Sequence, residues 1–115
     1  MIVFNLLSHN ENLSKLACKE ILQAGFALEI FLDENIHEVC FENNTVVQHK
    51  LFKLAFITKA RLFDDIERLL TEKIPKNDFR FYSNPVTQID VQEGLKIRTQ
   101  LTDGLPPGKS PTNPS

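Results

Sequence analysis

Tryptophan is missing from this 115-residue chain, and glycine and cysteine are scarce, with four and two residues respectively. The four glycines are isolated, which excludes a glycine-rich loop that cradles phosphate groups. Two cysteines form one bridge at most, so no disulfide framework is predicted. No apolar run reaches the ~20 residues that cross a bilayer, and the opening residues lack the basic region of a signal peptide. We therefore expect a cytoplasmic protein with no membrane partner.

Charge of one sign and catalytic motifs are lacking as well. With 13 basic and 15 acidic residues the net charge is −2, whereas proteins that bind nucleic acid normally carry a basic patch. No serine lies in a Gly-x-Ser-x-Gly setting, and no base and orienting group can be assembled around a nucleophile. The sequence therefore predicts a protein that is not an enzyme and has no nucleic-acid partner.

The composition changes near Asp103. Residues 104–115 hold four of the six prolines and two of the four glycines. Such a segment buries too little apolar surface to offset the entropy lost on ordering. We expect one folded domain at 1–103 and a Pro-rich flexible tail at 104–115.

The first part of the chain predicts a strand, a helix and a second strand. Ile2–Leu7 is apolar at five of six positions, as in a strand buried on both faces. A helix should follow, with Asn10 as its N-cap and Gly25 just past its end. The alternation of apolar residues over 26–32 then predicts extended structure.

A long hairpin is expected next. Ile36–Glu42 and the largely apolar segment 45–58 flank Asn43-Asn44, and asparagine tolerates the positive φ angles of a two-residue hairpin turn. The interruption at 33–35 separates Ile36–Glu42 from the alternating segment before it.

The remaining elements are a helix, a strand and a short C-terminal helix. An apolar stripe over 62–74 predicts the helix, Phe79–Tyr82 the strand, and Asp90 caps a final helix carrying Val91, Leu95 and Leu101. The order β-α-β-β-α-β is the split βαβ arrangement. The predicted fold is therefore α+β and ferredoxin-like, with a long hairpin between its second and third strands.

Two crossover helices of this arrangement cover the same face of the sheet. The strands at 2–7 and 51–57 do not alternate as a water-facing sheet would, and each buried Leu, Ile or Phe side chain is worth about 1.5–3 kcal/mol. We expect the second face to pack against copies of the same chain, unless residues 90–115 fold across it.

Several segments resemble the CutA family of divalent-cation-tolerance proteins, in the superfamily of the nitrogen-regulatory PII proteins. They are Ile2-Val3-Phe4 with Ser8-His9-Asn10-Glu11, the hairpin Phe41-Glu42-Asn43-Asn44-Thr45-Val46, and Leu54–Lys59 followed by Leu62-Phe63. The likeness covers about 1–102. It implies a homotrimer with edge-to-edge pairing of long hairpins and a response to a small ligand or divalent metal, and it makes Lys59 a candidate ligand-binding residue.

The chain also departs from the family pattern. The family's Lys-Thr step stands here in reversed order as Thr58-Lys59, and only Pro75 matches the family's His-Pro-Tyr-Glu segment. The position of the family's cysteine falls near Leu28 or Glu29. Copper or zinc binding would therefore need other residues.

The predicted hairpin supplies a candidate metal site. A two-residue turn at 43–44 places Glu38 opposite His49 and Cys40 opposite Val47, with Glu38, Cys40 and His49 on one face. Carboxylate, thiolate and imidazole suit zinc or a softer metal. The alternative is a cross-strand Glu–His pair beside a small buried thiol, and one bulge would separate the three side chains.

His9, just before the first helix, is a further candidate ligand-binding residue, for an anion held by free N–H groups.

The sequence is compatible with two functions. The favoured function is a non-enzymatic CutA/PII-like homotrimer, and the alternative is an ACT-like metabolite-binding regulatory module, which would normally form dimers.

Overall fold

The computed structural model describes residues 1–75 and 78–104. Its elements, in chain order, are β1 (Ile2–Ser8), α1 (Glu11–Gln23), β2 (Phe31–Glu42), β3 (Thr45–Thr58), a 3-10 turn (Ala60–Leu62), α2 (Phe63–Lys73), β4 (Phe79–Pro85) and α3 (Val91–Gln100). This order confirms the predicted α+β, ferredoxin-like βαββαβ arrangement with a long hairpin and a short C-terminal helix. Apart from Gly104, the predicted tail lies outside the described residues, and the domain boundary at 103 stays a prediction.

The four strands form one antiparallel sheet in the order β2-β3-β1-β4. β1 and β3 lie in the centre, which accounts for their long apolar runs. Among the described helices, none is both long and apolar enough to cross a membrane.

The core lies between the sheet and the two crossover helices. Phe4 in β1 stacks on Phe56 and Phe81 of its neighbouring strands, with ring centroids 5.2 and 5.6 Å away. Side chains from both helices share this cluster, so α1 and α2 cover the same face as predicted; its buried members include Ala17, Ile21, Leu62, Ile66, Leu69 and Leu70. We call the opposite side of the sheet the second face.

The predicted ends of α1 are confirmed. The Asn10 side chain accepts a hydrogen bond from the Leu13 N–H at 3.1 Å, which satisfies one of the orphan donors of the first turn. Gly25 follows the helix with φ +78°, the left-handed conformation that glycine adopts most readily.

The strand predicted over 26–32 is wrong for most of its length, because β2 begins at Phe31. The Phe26 N–H donates to the Ile21 carbonyl at the end of α1, and the Phe26 carbonyl accepts a bond from Thr58 Oγ1 at 2.7 Å. Phe26 is fully buried. Its backbone groups are therefore used by helix closure and by a side chain, and are not available to a strand ladder.

The last strand is longer than predicted, and the last helix buries a different side chain. β4 continues to Pro85, three residues beyond the predicted end. The Asp90 side chain caps α3 by accepting from the Gln92 N–H at 2.9 Å. Ile97 rather than Val91 or Leu95 forms the buried side of α3, since Ile97 is 2% exposed and Val91 is 79% exposed.

The second face is mixed rather than uniformly apolar. Half-buried Val3 and Ile57 are paired across β1 and β3, while the next row places buried Asn5 beside Ala55 and Tyr82. Ile97 and Glu93 of α3 line a small cleft together with Ile57. The C-terminal helix thus lies against one end of this face and does not extend across it within the described residues, so the intrachain alternative stays a prediction. The row of Asn5, Ala55 and Tyr82 makes the second face less apolar than the run in β1 suggested.

Candidate metal centre on the long hairpin

The turn between β2 and β3 sets the register of the candidate site. Asn43 and Asn44 have φ angles of 50° and 61°, as expected for a hairpin turn with two left-handed residues. The register pairs Glu38 with His49 and Cys40 with Val47, as predicted. A bulge does occur in β2, but it lies between Asp33 and Ile36, on the side of the cluster away from the turn.

The three predicted metal-ligating side chains meet on the second face. One ligand atom from each of Glu38, Cys40 and His49 lies within 4.8 Å of the others, and all three residues are half-buried. A carboxylate, a thiolate and an imidazole at this separation need small side-chain movements to coordinate one ion. The donor set suits zinc or a softer metal such as copper.

Glu42 is a fourth member that the sequence interpretation missed. Its Oε1 lies 3.1 Å from His49 Nε2 and accepts a hydrogen bond from the Cys40 thiol at 3.5 Å. The bonds from His49 and Cys40 lower the pKa of Glu42. Partial burial, with the hydrogen bond to Glu42, raises the pKa of Cys40, so the unliganded thiol keeps its proton at neutral pH.

Two residues from other elements also reach the cluster. His9 Nε2 lies 3.5 Å from Glu38 Oε1, and its ring meets that of His49 edge-on at 5.8 Å between centroids. Arg80 of β4 donates a hydrogen bond to Glu38 Oε2, and this bond is the main cause of the lowered pKa of Glu38. The structure thus places His9, predicted as an anion ligand beside α1, against the hairpin.

Metal binding here requires specific rearrangements. An ion bound to Glu38 competes with Arg80 for the carboxylate, and an ion bound to Cys40 displaces the thiol proton. His9 and Glu42 are close enough to complete a four-ligand shell or to orient the ligands by hydrogen bonds. The local pattern of the hairpin is enough to predict that Glu38, Cys40 and His49 lie together. His9 and Arg80 come close to them because of the order of the strands in the sheet, which the hairpin pattern does not contain.

Lys59, the other candidate ligand-binding residue, lies ten positions beyond His49, past the far end of β3. It is buried, and its Nζ donates to the carbonyls of Leu101 and Thr102 at 3.3 and 3.2 Å and to Asp103 Oδ1 at 3.2 Å. Lys59 is therefore far from the hairpin cluster and holds the segment that follows α3.

Comparison with known proteins finds similar chains among solved structures only. No protein-family model and no curated protein sequence matches the chain. The CutA1 structure from Oryza sativa matches with a TM-score of 0.78 at 14% identity, covering 89% of this chain and 94% of that one. The divalent cation tolerance protein from Thermus thermophilus matches at 0.76 and 13%, covering 89% and 100%.

A third solved structure, described as the periplasmic divalent cation tolerance protein CutA from Archaeoglobus fulgidus, matches with a TM-score of 0.74 at 10% identity, covering 87% of this chain and 98% of that one. Likeness at such low identity concerns the path of the backbone and not the site residues. This chain has the fold of the CutA1 divalent cation tolerance proteins.

Proposed function

We propose that this chain acts without catalysis, as a CutA/PII-like homotrimer that responds to a divalent metal, and that zinc or copper binds at Glu38, Cys40 and His49. The observation that carries the metal role is the meeting of three different ligand types within 4.8 Å. The CutA1 fold supports the same role, because the proteins that share it are named for divalent cation tolerance. A reducing cytoplasm is the proposed setting, since it keeps thiols such as Cys40 free.

Apolar side chains on the hairpin support self-association. Val39, Phe41 and Val46 are 60%, 68% and 66% exposed, and Phe41 lies opposite Val46 across the ladder. We call these three residues the hairpin patch. Exposed apolar patches on a strand pair favour contact with another chain. In the proposed homotrimer, the hairpin patch is covered by a neighbouring subunit.

A metal titration tests the site. Calorimetry with Zn²⁺, and with Cu²⁺ in a separate experiment, should give one site per chain that Cys40→Ser and His49→Gln each weaken by at least about tenfold. Cys18→Ser and His37→Gln are matched controls, because Cys18 lies in α1 and His37 pairs with Lys50 outside the cluster. Equal weakening by the controls, or no retained metal, would contradict the proposed site.

Light scattering tests the assembly separately. The natural chain should have the mass of three subunits, and Phe41→Lys should shift it toward the monomer. Val91→Lys is the control, since Val91 is at least as exposed but lies on α3. A monomer at micromolar concentration would refute the homotrimer. The proposed metal site would then stand or fall on the metal titration alone.

A further inference from the structure

A second concave site lies at the opposite end of β3 from the hairpin cluster. It is an open cavity of about 530 Å³ lined by Met1, Lys59, Ala60, Arg61 and Arg98. Small-molecule sites typically have volumes of about 300–1,000 Å³. The cavity is therefore large enough for a metabolite rather than for a single ion.

Every charged side chain that the described part of the chain contributes to this cavity is basic. Lys59, Arg61 and Arg98 line it, although the chain as a whole carries a net charge of −2. Arg98 has no hydrogen-bond or ion-pair partner within residues 1–75 and 78–104. A local excess of positive charge in a concave site attracts anions.

Asp103 shows how this site holds an oxyanion. Its Oδ1 accepts hydrogen bonds from Lys59 Nζ at 3.2 Å and from Arg61 Nη2 at 2.8 Å. The hydrogen bond from Lys59 is the main cause of the lowered pKa of Asp103. The two cations are thus already spaced to bind one carboxylate oxygen. The Asp103 side chain is 88% exposed, and its pair with Arg61 is exposed on both sides. Such a pair contributes little to stability, and solvent reaches the Asp103 carboxylate, so another anion can replace it.

Lys59 stays in place when Asp103 leaves. Its ammonium group also donates to the carbonyls of Leu101 and Thr102, and its side chain is only 10% exposed. A buried cation held by two carbonyls is oriented before any ligand arrives, which reduces the entropy lost on binding. Arg61 and Arg98 are exposed and can adjust to the ligand.

We infer that this cavity binds a small metabolite through a phosphate or carboxylate group, which displaces Asp103 from Lys59 and Arg61 and also contacts Arg98. Both groups offer the oxyanion geometry that guanidinium donors match. The site shares no lining residue with the hairpin cluster, so the inference is independent of the proposed metal role.

Calorimetry on the full chain tests it, with inorganic phosphate, AMP and citrate as separate probes, after metal has been removed with EDTA and the EDTA, whose carboxylates would compete for the site, has been dialysed away. At least one probe should bind saturably with one site per chain, and Arg98→Gln should weaken that probe by about tenfold, the usual size of one charge-assisted contact. Lys96→Gln, which removes the same charge from the same helix outside the cavity, should leave it unchanged. AMP binding without citrate binding assigns a phosphate ligand, and the reverse assigns a carboxylate.

Asp103→Asn tests the displacement. It removes the competing carboxylate and should strengthen binding of the same probe by about threefold to tenfold. Binding of no probe, equal weakening by Lys96→Gln, or weaker binding to Asp103→Asn would overturn the inference. Because EDTA removes bound metal and Cys40→Ser should not change these affinities, failure here is distinguishable from failure of the metal site.

Discussion

Arg80 and Glu38 lie on β4 and β2, the two edge strands of the sheet, yet Arg80 Nη2 donates a hydrogen bond to Glu38 Oε2. The two side chains meet on the second face, although β3 and β1 separate their strands in the sheet. The contact joins the long hairpin to the last strand and holds one carboxylate oxygen of the proposed metal site. Any ion that takes this oxygen must first release the guanidinium.

Removing Arg80 should therefore strengthen metal binding. In Arg80→Gln the pKa of Glu38 returns toward its ordinary value, which stays well below neutral pH, so the carboxylate remains charged and loses its competitor. We expect zinc to bind several-fold more tightly, measured by competition with a chromophoric chelator. Arg61→Gln removes the same charge far from the hairpin and should leave the zinc affinity unchanged. Weaker zinc binding by Arg80→Gln would contradict the competition and show that Arg80 positions Glu38 for the metal.

Glu42 should control the reactivity of Cys40. Partial burial and the carboxylate of Glu42 raise the pKa of Cys40, and only the thiolate reacts with iodoacetamide. Glu42→Gln removes the negative charge, lowers the pKa of the thiol and should speed alkylation of Cys40 at neutral pH. Peptide mass spectrometry separates Cys40 from Cys18, which serves as the internal reference; an unchanged rate at Cys40 would contradict the contact.

Metal affinity should rise with pH because of the same thiol. The pKa of Cys40 is raised, so at any pH below it the metal must displace a proton. The apparent affinity should then increase by up to about tenfold per pH unit between about pH 6 and pH 8, with one proton released from the thiol. In Cys40→Ser this part of the slope should vanish. A flat profile for the natural chain would exclude Cys40 as a ligand.

Local rules predicted those parts of the structure that local contacts decide. The Asn43-Asn44 turn and the period of two along a strand were enough to bring Glu38 and His49 together. Arg80 could not be found this way, because its contact with Glu38 spans 42 positions and depends on strand order. The alternation after Gly25 predicted a strand too early for a different reason, since Phe26 is apolar because it is buried, while its backbone bonds to Ile21 of α1 and to Thr58 rather than to a ladder.

Thr58 should be essential for holding the segment around Phe26, between α1 and β2. Its hydroxyl donates to the Phe26 carbonyl in a fully buried contact. Thr58→Val keeps the shape but leaves that carbonyl without its donor, which should lower the free energy of unfolding by about 1–3 kcal/mol. Urea denaturation measures the change, and Thr71→Val on the exposed side of α2 should cost much less. A loss no larger than that of Thr71→Val would mean that the Phe26 carbonyl is satisfied in another way.

The turn that sets the register should influence the metal site without touching it. Asn43 and Asn44 both have positive φ, a conformation that costs most other residues about 1 kcal/mol or more. Asn44→Gly should keep or slightly raise stability, whereas Asn44→Val should lower it by about 1–2 kcal/mol and favour a different turn. Because a slip of one residue turns His49 away from Glu38 and Cys40, Asn44→Val should also weaken zinc binding, while Asn44→Gly should not. Urea denaturation and the chelator competition, run on both variants, separate a loss of stability from a loss of register. If Asn44→Val is destabilised but still binds zinc like the natural chain, the register does not depend on this turn.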